Sequence, residues 1–140
     1  MLLQLKSLQK AITSLKAVIE RADDKELSSR IDDITRYAIK AGAIQNFEFT
    51  YELCWKFMKR WLESTLGTTY VDGVSRRELF RIAAENLLIR DVDQWMIYHK
   101  ARNITSHTYN EDRTEEVFKI AKEFVVDAEK LFNQLEAHND

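Results

Sequence analysis

The 140-residue chain has no proline, three glycines and one cysteine, and each shortage excludes something. Proline and glycine punctuate turns. With only Gly42, Gly67 and Gly73, the chain lacks the breakers that a β-sandwich or barrel needs, and strand-like alternation of apolar and polar residues is missing as well. A lone Cys54 rules out an internal disulfide framework and argues against a thiolate zinc site. No stretch approaches the roughly 20 apolar residues of a membrane span. The opening Met1-Leu2-Leu3-Gln4-Leu5-Lys6 breaks at once into helical alternation without an apolar signal core, so the cytoplasm is the expected compartment. No His, Asp or Glu cluster has ligand spacing on one helical face, and neither a metal nor a cofactor is expected.

What remains is the composition of a soluble globular protein, 45% hydrophobic and 31% charged, with a length suited to one domain spanning residues 1–140. Apolar residues recur at helical steps, and the pattern predicts an all-α chain of five helices. The first covers about Leu2 to Arg21, with Leu5, Leu8, Ile12, Leu15 and Ile19 on one face. The polar stretch from Ala22 to Ser29 reads as a connection. The second helix runs from about Arg30 to Leu66, with a bend possible at Gly42 and a stop at Leu66-Gly67, where glycine tolerates a left-handed cap. The third starts at Ser75, where Ser-Arg-Arg-Glu has the form of a capping box with Glu78, and ends near Asn86. The fourth starts at Asp91, in a second box with Gln94, and reaches Arg102 or slightly beyond. The fifth runs from about Asp112 to Ala137.

The second helix carries more apolar surface than a surface helix needs. At about 100° per residue, Glu48, Lys59, Glu52, Glu63, Lys56 and Arg60 gather within roughly 120°. The opposite arc of roughly 200° holds Leu53, Phe57, Thr50, Trp61, Cys54, Phe47, Met58, Tyr51, Leu62 and Trp55. Either the helix meets its own bundle on one side and another chain on the other, or it is central and covered on both sides within the monomer. Cys54 falls in the apolar arc and reads as an inert core residue.

Net charge is −2, too small for a global field that recruits nucleic acid, but the charges are unevenly spread. From Ser75 to Arg102 six bases (Arg76, Arg77, Arg81, Arg90, Lys100, Arg102) face four acids, whereas from Asn110 to Asp140 nine acids face four bases. A mildly basic zone therefore leads into Arg102-Asn103-Ile104-Thr105-Ser106-His107-Thr108-Tyr109, and an acidic helix leaves it. Arginine holds phosphate through a planar fork of donors, and histidine moves protons near neutral pH. On an unbroken helix, residues five apart diverge by about 140°, so Arg102 and His107 share a target only if the helix ends near Thr105-Ser106 or a twofold axis brings two copies together. His99 and Tyr98, one turn earlier, are candidates to line the same groove, although Trp95, Met96 and Tyr98 also suit a core or a dimer seam. His138, in a tail expected to fray, carries no claim.

The block Phe47-Glu48-Phe49-Thr50-Tyr51-Glu52-Leu53-Cys54-Trp55-Lys56, together with Ser75-Arg76-Arg77, Ala83, Ile89-Arg90-Asp91, Trp95, Arg102-Asn103 and His107-Thr108-Tyr109-Asn110-Glu111, resembles the nucleotidyltransferase substrate-binding proteins, a branch of the HEPN superfamily. The resemblance covers nearly the whole chain. Members often carry Ser-Pro-Arg where this chain has Ser75-Arg76-Arg77; proline there mainly pre-sets the first helical turn. The resemblance implies an up-and-down helical bundle, akin to a four-helix bundle, that pairs as a homodimer. It also implies a minimal nucleotidyltransferase, usually encoded next door, as partner. Lacking a glycine-rich phosphate loop, this chain is not expected to be the nucleotidyltransferase itself.

Many relatives are toxins of toxin–antitoxin pairs that cleave RNA without metal through Arg-x4-6-His, and in related pairs the partner silences the toxin by adenylating the tyrosine of Arg-x4-His-x-Tyr. By position those residues are Arg102, His107 and Tyr109, with Asn103 as a supporting group. The resemblance thus implies a ribonuclease acting on single-stranded RNA; its alternative is a non-catalytic subunit that binds substrate or nucleotide for the nucleotidyltransferase.

Overall fold

The computed structural model describes residues 2–105 and 111–139, and the ordered elements among them are all helices. They are α1 (Lys6–Asp23), α2 (Lys25–Arg30), α3 (Asp33–Leu66), α4 (Thr68–Val71), α5 (Arg76–Glu85), α6 (Val92–Thr105) and α7 (Glu111–Ala137). The five longer ones answer to the five expected. The two short ones correct the expectation of plain connections on either side of α3. In α2, the Asp24 carboxylate accepts the N–H groups of Glu26 and Leu27 at 3.0 and 3.1 Å, capping a turn too short to show a period in sequence.

Helix α3 is the axis of the fold. Antiparallel to it, α1 places Ala11 against Thr50 and Ser14 against Asn46. Parallel to it, α7 sets Glu115 by Lys40 at one end and His138 by Trp61 at the other. Helices α4, α5 and α6 also pack on α3. Its broad apolar arc is therefore covered from several sides by its own chain: Phe47, Thr50, Tyr51, Cys54, Phe57, Met58 and Leu62 are all buried. Of the two expectations for that arc, the central helix accounts for the burial without a second chain. The helix continues unbroken through Gly42 and stops at Gly67, whose φ of 100° few other residues adopt and whose N–H returns to the Glu63 carbonyl.

The core is knit by rings around Phe124 of α7. Its centroid lies 5.1 Å from Phe47, 6.3 Å from Tyr51, 5.8 Å from Trp95 and 5.1 Å from Tyr98, all edge-on, the arrangement that ring quadrupoles favour. Trp95 and Tyr98 are thus core residues. The Tyr98 hydroxyl donates to Asp127, which satisfies its one polar atom inside the bundle.

Helix ends explain where α5 and α6 begin. Ser75 Oγ accepts the Glu78 N–H at 3.1 Å and Asp91 Oδ1 accepts the Gln94 N–H at 3.1 Å. The return arms of the expected capping boxes do not close, because the Glu78 carboxylate binds Arg81 and the Gln94 amide reaches Glu123. Helix α5 ends in a Schellman turn, with Leu88 N–H on the Ala83 carbonyl and Leu87 N–H on that of Ala84. Leu87 takes the left-handed position at φ 64°. The tail expected to fray is held: the His138 carbonyl accepts from the Trp61 indole, and the Asn139 amide bonds both the N–H and the carbonyl of Leu3.

Candidate functional site

Of the six bases between Ser75 and Arg102, the structure accounts for two as plain surface pairs. Arg81 bridges Glu78 and Glu85, and Arg77 meets Asp93 at 3.1 Å. Two others, Arg76 and Arg102, turn inward toward one face of α3. Tyr51, Glu52 and Trp55 are presented there by adjacent positions and one helical turn.

Tyr51 is rooted in the core, and its hydroxyl reaches out to His99 Nδ1 at 2.8 Å. One turn along α6, Asn103 Nδ2 stands 3.4 Å from His99 Nε2. The Tyr51 hydroxyl and the Asn103 amide thus engage the two ring nitrogens of His99, one from each side. Burial depresses the His99 pKa below its ordinary value, and the neighbouring Arg76 and Arg102 guanidinium groups depress it further against the opposing pull of Glu52. Burial also raises the Tyr51 phenol. At neutral pH the pair is an uncharged imidazole and an uncharged phenol.

Among the described residues, Glu52 is the carboxylate that joins these contacts. Its Oε2 accepts from the Trp55 indole at 3.0 Å, and its Oε1 lies 3.4 Å from Arg102 Nε. Arg76, the first residue of α5, lies flat on the Trp55 ring with its guanidinium carbon 3.3 Å from the centroid. Burial lowers its pKa, with Tyr51 and Glu52 opposing, yet an arginine remains a cation.

Among the residues singled out in sequence, Arg102 and Asn103 stand on the last turn of α6, which ends at Thr105. His99 belongs to the same cluster, while Tyr98 turns away to Asp127. His107 and Tyr109 lie outside the described residues. Arg76 and Glu52 were not singled out as site residues. Glu52 was visible as a charge in the polar arc of the second helix and Arg76 as one base among several, both inside the blocks that carry the resemblance but without a role of their own. Among the described residues, no three His, Cys, Asp or Glu side chains converge as metal ligands, and no helix is long and apolar enough to cross a membrane.

A sequence description of the "nucleotidyltransferase substrate binding protein like" family matches residues 3–137. The chain belongs to this family. A curated relative from Haemophilus influenzae, named "Probable ribonuclease HepT", is 33% identical over 138 residues, 98% of this chain and 94% of the relative. A solved Haemophilus influenzae structure, described as the fold of a substrate binding domain of a nucleotidyltransferase, superposes with a TM-score of 0.90 at 33% identity, covering 95% of this chain and 99% of that one. A Thermus thermophilus crystal structure gives a TM-score of 0.72 at 27% identity, covering 91% and 98%. The all-helical architecture is therefore the family's own, and the Glu52–Trp55 block on α3 and Arg102 on α6 belong to one continuous match.

Proposed function

We propose that this family member is a metal-independent endoribonuclease, the toxin half of a pair whose other half is a minimal nucleotidyltransferase, and that it works in the cytoplasm as a homodimer. The observation that carries the reading is Arg102 on the final turn of α6, steadied by Glu52 beside a neutral His99–Tyr51 pair, in a chain one-third identical to a named probable ribonuclease. Ile34, Tyr37 and Phe49 are exposed along α3 within roughly 120° of one another. That apolar edge, with Phe49 one turn from Glu52, supports a second copy packed along the same side of the helix.

The reaction is in-line attack of a ribose 2′-oxygen on the adjacent phosphorus of single-stranded RNA. His107 takes the 2′-hydroxyl proton or protonates the leaving 5′-oxygen, with His107 of one copy serving Arg102 of the other. Arg102 balances the charge that builds on the phosphorane. The products are a 2′,3′-cyclic phosphate and a 5′-hydroxyl end. Nucleotidylation of Tyr109 adds bulk and negative charge to the Arg-x4-His-x-Tyr motif and so silences it. A second reading, a non-catalytic subunit that presents substrate to the nucleotidyltransferase, is favoured by the description of the Haemophilus influenzae structure.

Co-expression with the neighbouring nucleotidyltransferase, followed by intact-mass measurement, tests the proposal. A gain of one or more nucleotidyl groups, lost in Tyr109→Phe, is expected, together with harm to cells expressing the chain alone and relief by His107→Ala. Full toxicity of a folded His107→Ala protein refutes the mechanism. A stable complex with the nucleotidyltransferase and no RNA cleavage by the chain alone favours the second reading.

A further inference from the structure

Arg76 is held in an unusual way for a surface arginine. It lies on Trp55 at van der Waals distance. Its Nε and Nη1 are buried and meet no hydrogen-bond partner among the described residues. The side chain as a whole is only half-buried, so Nη2 is the nitrogen left at the surface. The neighbouring carboxylate is already engaged, since Glu52 serves the Trp55 indole and Arg102. Lys56 Nζ stands 5.7 Å from the centre of the same indole. Among the described residues, Arg76 and Lys56 therefore both lie against the Trp55 ring, with Arg102 beside Glu52. Buried guanidinium donors without acceptors are costly, and stacking on an indole offsets only part of that cost. A ligand with negative oxygens at Nη2 supplies the missing counter-charge. The indole meanwhile fixes the plane of the fork in advance of binding.

We infer that Arg76, pinned on Trp55, is a second phosphate-binding residue of the RNA site, holding a backbone phosphate next to the one engaged by Arg102. The assignment rests on the ribonuclease reading above and adds to it a residue outside the Arg-x4-His motif. It also gives the excess charge around Trp55 a use: RNA tracked by more than one cation binds with a salt dependence that counts the phosphates. Arg76 acts on binding and leaves the chemical step to Arg102 and His107.

Removing the guanidinium without disturbing α5 is straightforward. Arg76 is the first helical residue, where proline is welcome, and Ser75 before it has φ −65° and ψ 165°, the extended conformation that a following proline demands. Wild type, Arg76→Pro, Arg76→Gln and Arg76→Lys are compared on one single-stranded RNA oligonucleotide, 2′-O-methylated for binding and unmodified for cleavage. Arg76→Pro and Arg76→Gln are expected to weaken binding roughly tenfold and to lower the slope of log K against log salt by about 0.7. KM should rise, with kcat within about threefold. Arg76→Lys keeps the slope and recovers part of the affinity. Unchanged affinity and slope in folded Arg76→Pro and Arg76→Gln proteins, with a wild type that binds and cuts RNA, overturn the Arg76 assignment alone. So does a defect confined to kcat, or one confined to modification by the nucleotidyltransferase. A wild type that neither binds nor cuts RNA overturns the ribonuclease reading and this assignment together.

Discussion

Replacing Glu52 by glutamine isolates the contact that organises the site. The substitution keeps size and leaves a carbonyl oxygen to accept the Trp55 indole N–H, now 3.0 Å away, so the loss is the charge opposite Arg102. At 3.4 Å and an effective dielectric constant of about 20, the gross attraction is about 5 kcal/mol. The two side chains are 28% and 34% exposed, so solvent screening and the cost of drawing both from water reduce this to about 1–2 kcal/mol net. Thermal unfolding of Glu52→Gln should therefore fall by roughly 3–8 °C for a chain of this size. A double-mutant cycle with Arg102→Gln should return a coupling of about 1 kcal/mol, separating the pair from whatever else each residue does. The same change has a second readout. Glu52 is the group that holds the His99 pKa up against Arg76 and Arg102, so its neutralisation should drive the imidazole titration, followed by NMR, further down. A cycle that returns no coupling, with His99 titrating as before, would refute the view that Glu52 steadies Arg102 and sets the charge of the site.

Other outcomes are open to measurement. Leu87 is 77% exposed at φ 64°, so Leu87→Gly should relieve left-handed strain and raise stability by about 1 kcal/mol, read from denaturant midpoints; lower stability would mean that Leu87 makes contacts that outweigh its backbone. Since the pKa of His99 is depressed in the folded chain, the unfolded chain binds the extra proton as pH falls below the ordinary value of 6.5. Stability is therefore full above that pH and declines below it, with a slope that His99→Gln should reduce, and an unchanged slope would contradict the assigned shift. Phe124→Ala removes the hub of four edge-on ring contacts and should cost about 3–5 kcal/mol in chemical denaturation, a value below 1 kcal/mol being incompatible with the packing described. Cys54 is fully buried with its thiol pKa raised by burial, so a thiol reagent should label it only after unfolding.

The five long helices were legible because each repeats its apolar residues often enough to set a phase; α1, for example, buries Leu8, Ile12, Leu15 and Ile19, four of the five residues named for its stripe. Helices α2 and α4 were not, since six and four residues leave no period to read. Whether the arc of α3 met one partner or several could not be decided from the wheel, which records how much of a helix is apolar and not what lies against it. The caps at Ser75 and Asp91 were visible as residue types, but the fate of Glu78 and Gln94 depended on Arg81 and Glu123. In the site, Arg102 and Asn103 stood out through motif and His99 through its place one turn earlier. Arg76 did not, because its significance comes from Trp55, about twenty residues away in sequence and stacked against it in space.

Tyr51 belongs to two neighbourhoods at once: its ring leans on Phe124 and Phe47 while its hydroxyl grips His99. The imidazole is thus the outermost link of a chain of rings that starts in the middle of the bundle. Anything that loosens that chain, whether heat, a smaller side chain at position 124 or a nudge to α7, should be felt at the histidine before the molecule as a whole gives way. His99 cannot move without taking the interior along.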